Sequence, residues 1–181
     1  MRLHLREKTK VRNRPLMGGF LTFLVERGLA AQRTAVYKVC VISVLLYGSE
    51  TWVLTEELFR KLEVFHNHCV RVICGVSRWR QWHRRIHTWE LNEKLEISPM
   101  REMIYTRQLR WLGHVRRMPE DRLPRRLLTS WVYNPRTQGG QEMNYGRTVS
   151  KALYWAGIDT DDWFDLAAVR SWWARTTNGQ I

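Results

Sequence analysis

Two cysteines and two histidines fall in a C-x4-C-x8-H-x3-H arrangement: Cys69, Cys74, His83 and His87. Zinc takes four nitrogen or sulfur ligands in a tetrahedron, commonly from two closely spaced pairs. Here Cys69 falls on the apolar stripe of a helix, where a thiol behaves as a small hydrophobe. Cys74, five residues on, faces elsewhere on a continuous helix, and the eight-residue gap to His83 is short for a zinc finger. The spacing therefore predicts buried or incidental thiols and no metal. His66 and His68 do not improve the geometry. Asp159, Asp161 and Asp162 could in principle hold magnesium, as paired carboxylates do in polymerases. Their place behind Thr160 reads instead as the acidic first turn of a helix. No Gly-rich phosphate loop, nucleophile elbow or Walker lysine is present, so no catalytic centre is predicted.

Arginine beside tryptophan is the pattern with chemical content. Ser77-Arg78-Trp79-Arg80-Gln81-Trp82-His83-Arg84-Arg85 interleaves guanidinium groups with indoles. Arg107, Arg110, His114, Arg116 and Arg117 do so again around Trp111, and Arg122, Arg125 and Arg126 follow. Guanidinium forks bind phosphate bidentately, and exposed aromatic rings stack on bases, at about 1–3 kcal/mol each. Ten tryptophans in 181 residues argue that most indoles are buried, which leaves the arginines to do the binding. Trp111 is accordingly expected to pack with Leu112 and Val115. Arg110, Arg116 and Arg117 would then reach into solvent, and neutralising the last two would leave melting unchanged. His114 either joins the contact face or bonds locally.

The elements that must position these groups read as helices almost throughout. From Ala31, Ala35, Val39, Ile42, Leu45 and Leu46 recur at helical spacing as far as Tyr47-Gly48, where glycine supplies the stop. A second helix starts after Thr55, with Glu56-Glu57 in its first turn and a stripe of Leu58, Leu62, Phe65, Cys69, Val72, Ile73 and Val76. Ser98-Pro99 reads as cap and first position of a third, with Ile104, Leu109, Leu112 and Val115 on one side. Residues 134–146 lack periodicity, Arg147 to Ala156 form a short helix closed by Gly157, and Thr160 caps a last helix through Trp173. The fold class is mainly α: a thumb-like helical bundle over 1–76, an Arg/Trp-rich basic helical segment over 77–131, and a loop plus small C-terminal helical module over 132–181.

Charge sharpens the functional reading. Thirty Lys+Arg against 17 Asp+Glu give a net charge of +13, and 24 of the 30 cations are arginine. Residues 1–20 carry 6 cations and 1 anion, and residues 71–126 carry 14 and 6, whereas 21–70 and 127–181 are neutral, with 5 of each. A basic head, a basic middle and two neutral blocks suit folded modules framing a polyanion-binding surface. The composition, 44% hydrophobic and 26% charged, excludes a disordered chain. No apolar run approaches the roughly 18 residues of a membrane span. Three cysteines, an odd number, point to a reducing compartment, nucleus or cytoplasm. The basic stretch to Arg14 and the apolar stretch after it imitate a targeting peptide, but two glycines and Glu26-Arg27 interrupt the pattern.

Several strings resemble one family. Leu45-Leu46-Tyr47-Gly48-Ser49-Glu50-Thr51-Trp52 is similar to the segment just after the palm in reverse transcriptases of non-LTR (LINE-type) retrotransposons, especially the RTE-like and Jockey-like groups. The similarity continues through Lys61 to His66, Cys69 to Ile73, Leu109 to Met118 and Asp121 to Pro124. It extends weakly into Tyr145 to Thr148 and Trp163 to Trp173, covering roughly residues 20–175. The resemblance implies a thumb-like region and a C-terminal extension that together hold template–primer or element RNA. The family's magnesium-binding palm and its endonuclease would lie upstream of Met1, and a C-terminal zinc knuckle would need cysteines that this chain lacks. The expectation is a chain that binds RNA or DNA, uses no cofactor or small-molecule substrate, and does not polymerise by itself. A palm-containing reverse transcriptase acting in trans would be a further partner. The alternatives are a host-adopted helical module whose arginines meet an acidic protein, and a retroelement relic without function.

Overall fold

A computed structural model describes residues 30–129 and 145–178. The basic head over 1–20 and most of the loop expected over 134–146 lie outside the described residues. What is described is mainly α, as the periodicity predicts, and contains no strand among the described residues.

The first rod begins as α1 (Ala30–Val36), passes through a π-helical stretch (Tyr37–Ile42) and ends in a short turn, α2 (Ser43–Leu45). The π turn corrects the expected stripe. Thr34, Tyr37, Ile42 and Leu46 are buried, whereas Ala35 is exposed and Val39 is 69% exposed. The five-residue step from Tyr37 to Ile42 does not fit an α-helical face; one wider turn absorbs it and keeps both residues on the core. Gly48, at φ +71°, then turns the chain into a single 3-10 turn (Ser49–Thr51).

Helix α3 (Glu56–Ile73) starts where the sequence places it: the Thr55 hydroxyl accepts from Leu58 N at 3.3 Å. Leu58, expected on its stripe, is exposed, and Phe59 takes the buried place. Two short helices follow, α4 (Arg78–His83) and α5 (Thr88–Lys94), before the long α6 (Met100–Arg116). Ser98 makes no cap; Pro99 itself is the residue preceding α6. Beyond it come α7 (Leu123–Thr129), α8 (Tyr145–Trp155), α9 (Trp163–Leu166) and α10 (Arg170–Asn178). The single last helix expected after Thr160 is thus two; Asp162 precedes the first without a side-chain cap bond, and Asp159 Oδ1 accepts from Asp161 N at 3.0 Å in the turn before it.

Four helices end alike. At Gly75, Arg85, Glu96 and Gly157 the backbone turns left-handed, and the next residue's N–H bonds back five positions, at 3.0 Å each time. The next residues are Val76, Ile86, Ile97 and Ile158, and each packs on the core. An apolar contact after a left-handed residue is the usual companion of this ending. Repeated four times, it folds short helices back on one centre.

That centre is α6. It packs against the 3-10 turn, α3, α7, α8 and α10. Gly113 is what lets α10 approach: a Cβ there would fall inside contact distance of the Trp173 indole. Trp173 Nε1–H donates to Leu109 O at 2.8 Å. Alanine favours a helix over glycine by about 1 kcal/mol, but overpacking costs about 1–3 kcal/mol. Gly113→Ala should therefore lower the melting temperature; a rise would show that the indole does not sit over this position.

A polar group closes the other side of the core. Tyr37 Oη and His66 Nδ1 lie 2.8 Å apart, fully buried, with the Cys69 thiol against the tyrosine and Asn92 flanking the imidazole. Burial pushes the His66 pKa down to about 4 and the Cys69 thiol up to about 11. The folded imidazole is therefore neutral at pH values where the unfolded chain already takes up a proton. Stability should be complete above pH ~6.5 and fall as pH drops towards 4, by about 3 kcal/mol from this group. Urea unfolding at pH 7.5 and 4.5 should show a steeper acid loss for the native chain than for His66→Gln; equal losses would refute the assignment.

Candidate nucleic-acid interface

The first Arg/Trp string forms a small hairpin of helices, α4 and α5. Ser77 caps α4, its Oγ accepting from Arg80 N at 3.2 Å. The chain reverses at Arg85, and Ile86 N–H reaches back to Gln81 O at 3.0 Å. His87 N–H then donates to Glu90 Oε1 at 2.9 Å, fixing the start of α5. Cys74 and Leu91, at the base, both pack in the core.

On this base Arg78, Arg80, Arg84 and Arg85 are all exposed, as expected. None forms an ion pair among the described residues, and from Ser77 to Trp89 there is no Asp or Glu. The indoles depart from expectation. Trp79, Trp82 and Trp89 are 68%, 79% and 62% exposed. Trp79 stacks on His83 with ring centroids 4.0 Å apart, and His87 lies nearly parallel to Trp89 at 6.4 Å. A sequence signal for this exists. Trp79 and Trp82 are the only apolar residues between Ser77 and Arg85, so no aliphatic partner shares their face.

The second string behaves differently, because α6 is buried almost all round. Arg107 donates to Leu46 O at 3.0 Å and lies 3.7 Å from Glu50. Arg116 donates from Nε to Phe164 O at 2.8 Å with its guanidinium 3.8 Å above the Phe164 ring. Arg117 donates to Ala167 O at 2.7 Å. Arg125 is 5% exposed and lies over the same ring at 4.6 Å. Each of these four guanidinium groups is engaged by the chain's own groups; Arg116, expected to reach into solvent, is half-buried, and Arg117 is exposed yet bonded to a backbone carbonyl. Arg110, His114, Arg122 and Arg126 remain exposed. Trp111 is half-buried, not core; it lines an open cleft with Glu50, Arg107, Arg110 and His114.

Among the described residues no three His, Cys, Asp or Glu side chains converge as a metal site. Cys69 is committed to the core, and Cys74 Sγ faces Leu91 O at 4.0 Å. No helix among them is long and apolar enough to cross a membrane.

The chain is 26% identical over 99 residues to a transposon-derived, uncharacterized protein of Caenorhabditis elegans. The aligned stretch covers 55% of this chain and 35% of that protein, so the chain spans only about a third of its relative. That similarity is consistent with a transposon origin. No family model matches the chain, and no solved structure does.

The carbonyl-bound arginines carry a consequence for stability. Arg116→Gln combined with Arg117→Gln removes two charge-assisted bonds to the end of α9, and should cost roughly 2 kcal/mol or more. Thermal melting of the double variant checks this; an unchanged midpoint would show the two groups to be solvent-facing after all.

Proposed function

We propose that this chain is a nucleic-acid-binding helical module of transposon origin. In this reading it corresponds to the thumb and post-thumb part of a non-LTR retrotransposon reverse transcriptase, with the polymerase palm supplied elsewhere. The observation that carries the reading is the α4–α5 hairpin, which offers four exposed arginines, free of ion pairs, on a stretch from Ser77 to Trp89 without a carboxylate. Guanidinium groups free of ion pairs are available to phosphate oxygens, and releasing counterions from a polyanion drives such binding. The protein relative, itself transposon-derived, supports the origin, and the strings around Tyr47-Gly48 and Trp111 to Met118 support the assignment to the thumb side of the enzyme.

Arg78, Arg80, Arg84 and Arg85 changed together to Gln should reduce RNA affinity and flatten its dependence on salt. Each lost phosphate contact removes about 0.7–0.9 from the logarithmic slope, so the four together remove about 3. Melting should be little changed, because the four side chains are exposed. A wild-type slope in the folded variant would reject the hairpin as the phosphate-binding surface. Equal affinity of the native chain for an acidic polypeptide would favour a protein partner instead. Primer extension by the purified chain should not rise above background, since nucleotidyl transfer needs two metals held by carboxylates. Asp161 and Asp162 instead occupy the turn between α8 and α9.

A further inference from the structure

The nucleic-acid reading accounts for the arginines of the hairpin but not for its indoles. Trp79, Trp82 and Trp89 are the most exposed indoles among the described residues: each is more than half exposed, beside a core that buries Trp173 and half-buries Trp155, Trp163 and Trp172. Exposed apolar surface on this scale marks an interaction site. The site is also cationic, which excludes a purely apolar occupant. An open cleft beside Trp79 and Trp82 is lined also by Arg78, His83, Arg85 and His87.

The rings are arranged rather than scattered. His83 backs Trp79 at 4.0 Å with 28° between the planes, and Trp82 meets the same imidazole edge-on at 5.2 Å. His87 backs Trp89 at 14°. Each pair sets an imidazole close to parallel with an indole that remains more than half exposed. Arg85 adds a second oddity. It stands at φ +50°, a conformation favouring glycine, at the reversal between the two helices. Where Gly75 and Gly157 make the same turn without strain, this position keeps a side chain that lines the cleft.

We infer that the α4–α5 hairpin is a platform for single-stranded nucleic acid: the Trp79–His83 and His87–Trp89 pairs take unpaired bases, and the flanking arginines take the phosphates between them. This rests on the nucleic-acid reading above and adds the strandedness of the ligand. Bases in a duplex are already stacked on both faces and offer only grooves and backbone, so exposed indole planes have nothing to meet there. In a single strand every base has a free face, and stacking on it is tolerant of sequence. The charge is complementary from Ser77 to Trp89, which has four arginines and no acid; the first carboxylate, Glu90, is bonded to His87 N–H.

The test is fluorescence anisotropy of the full chain with labelled oligo-U, oligo-dT and a hairpin duplex, each of about 12 nucleotides per strand. The native chain should prefer either single strand to the duplex, and the two single-strand arms distinguish RNA from DNA. Trp79→Ala with Trp82→Ala should weaken single-strand binding about tenfold or more, leave duplex binding and the salt slope unchanged, and leave melting unchanged. Trp79→Phe with Trp82→Phe should restore most of the loss, because a ring remains. Arg85→Gly should melt higher, having shed the left-handed strain, and yet bind more weakly. The platform is overturned if the alanine pair binds single strands like the native chain, or if the duplex is preferred. In either case an intact effect of the quadruple arginine variant would leave the broader function standing. A native chain that binds no nucleic acid overturns both.

Discussion

The absence of one methyl group at Gly113 determines how this chain can pack. Trp173 lies where that methyl would be, and its indole N–H is bonded to Leu109 O, a carbonyl of the helix it rests on. With α10 pressed so close, α6 is covered on nearly every side and becomes the axis on which the other elements rest. Covered almost all round, the helix leaves only Arg110 and His114 exposed. Most of its other polar residues find partners inside the protein, since an unsatisfied buried donor costs more than a bond gains. Gln108 donates to Trp52 O, Arg107 to Leu46 O, Arg116 to Phe164 O and Arg117 to Ala167 O. Short helices and turns leave carbonyls without backbone donors at their ends, and long arginine side chains reach them.

Arginine abundance in this protein thus has two physical origins, which composition merges. One set holds short elements together by capping carbonyls; the other, on α4 and at its end, faces water with no carboxylate partner. Sequence spacing could not separate them. Both sets are interleaved with tryptophan, and both lie in the basic middle of the chain. What separates them is whether the surrounding helix has aliphatic neighbours to bury. Leu109, Leu112 and Val115 pull the second string inward, and the first string has none.

Much of the fold is legible from local chemistry. Thr55 as a cap, Gly48, Gly75 and Gly157 as stops, and the stripe through Ile104, Leu109 and Leu112 each follow from a single-residue property. The misses share a cause, which is tertiary packing overriding a local rule. The π turn over Tyr37–Ile42 exists because Tyr37 must reach His66 while Ile42 and Leu46 stay in the core. Arg85 and Glu96 take left-handed conformations that neither residue type favours, because Ile86 and Ile97 have to return to the core immediately afterwards. Lys38 Nζ, reaching from the first rod, holds the Glu96 carbonyl at 2.7 Å and helps fix that turn.

The string from Leu45 to Trp52 is held by the turn of α6 that precedes the string from Leu109 to Met118. Arg107 and Gln108 of α6 bond to the carbonyls of Leu46 and Trp52, on either side of the 3-10 turn, and Glu50 pairs with Arg107. Tyr145, at the start of α8, bonds Glu50 O at 3.1 Å and closes the same junction. The residues around the 3-10 turn therefore serve the fold, since α6 supplies their partners across the core. A chain could keep them and its architecture while losing any surface activity, or acquire a new one without disturbing them. The α4–α5 hairpin sits outside that junction, anchored at its base through Cys74, Ile86 and Leu91 and free at its rings. Such an arrangement holds guanidinium and indole groups in place before a ligand arrives, which lowers the ordering cost of binding. It also explains why exposed tryptophans and like charges persist together on one short segment. The core beneath supplies the stability, so the surface need not contribute any.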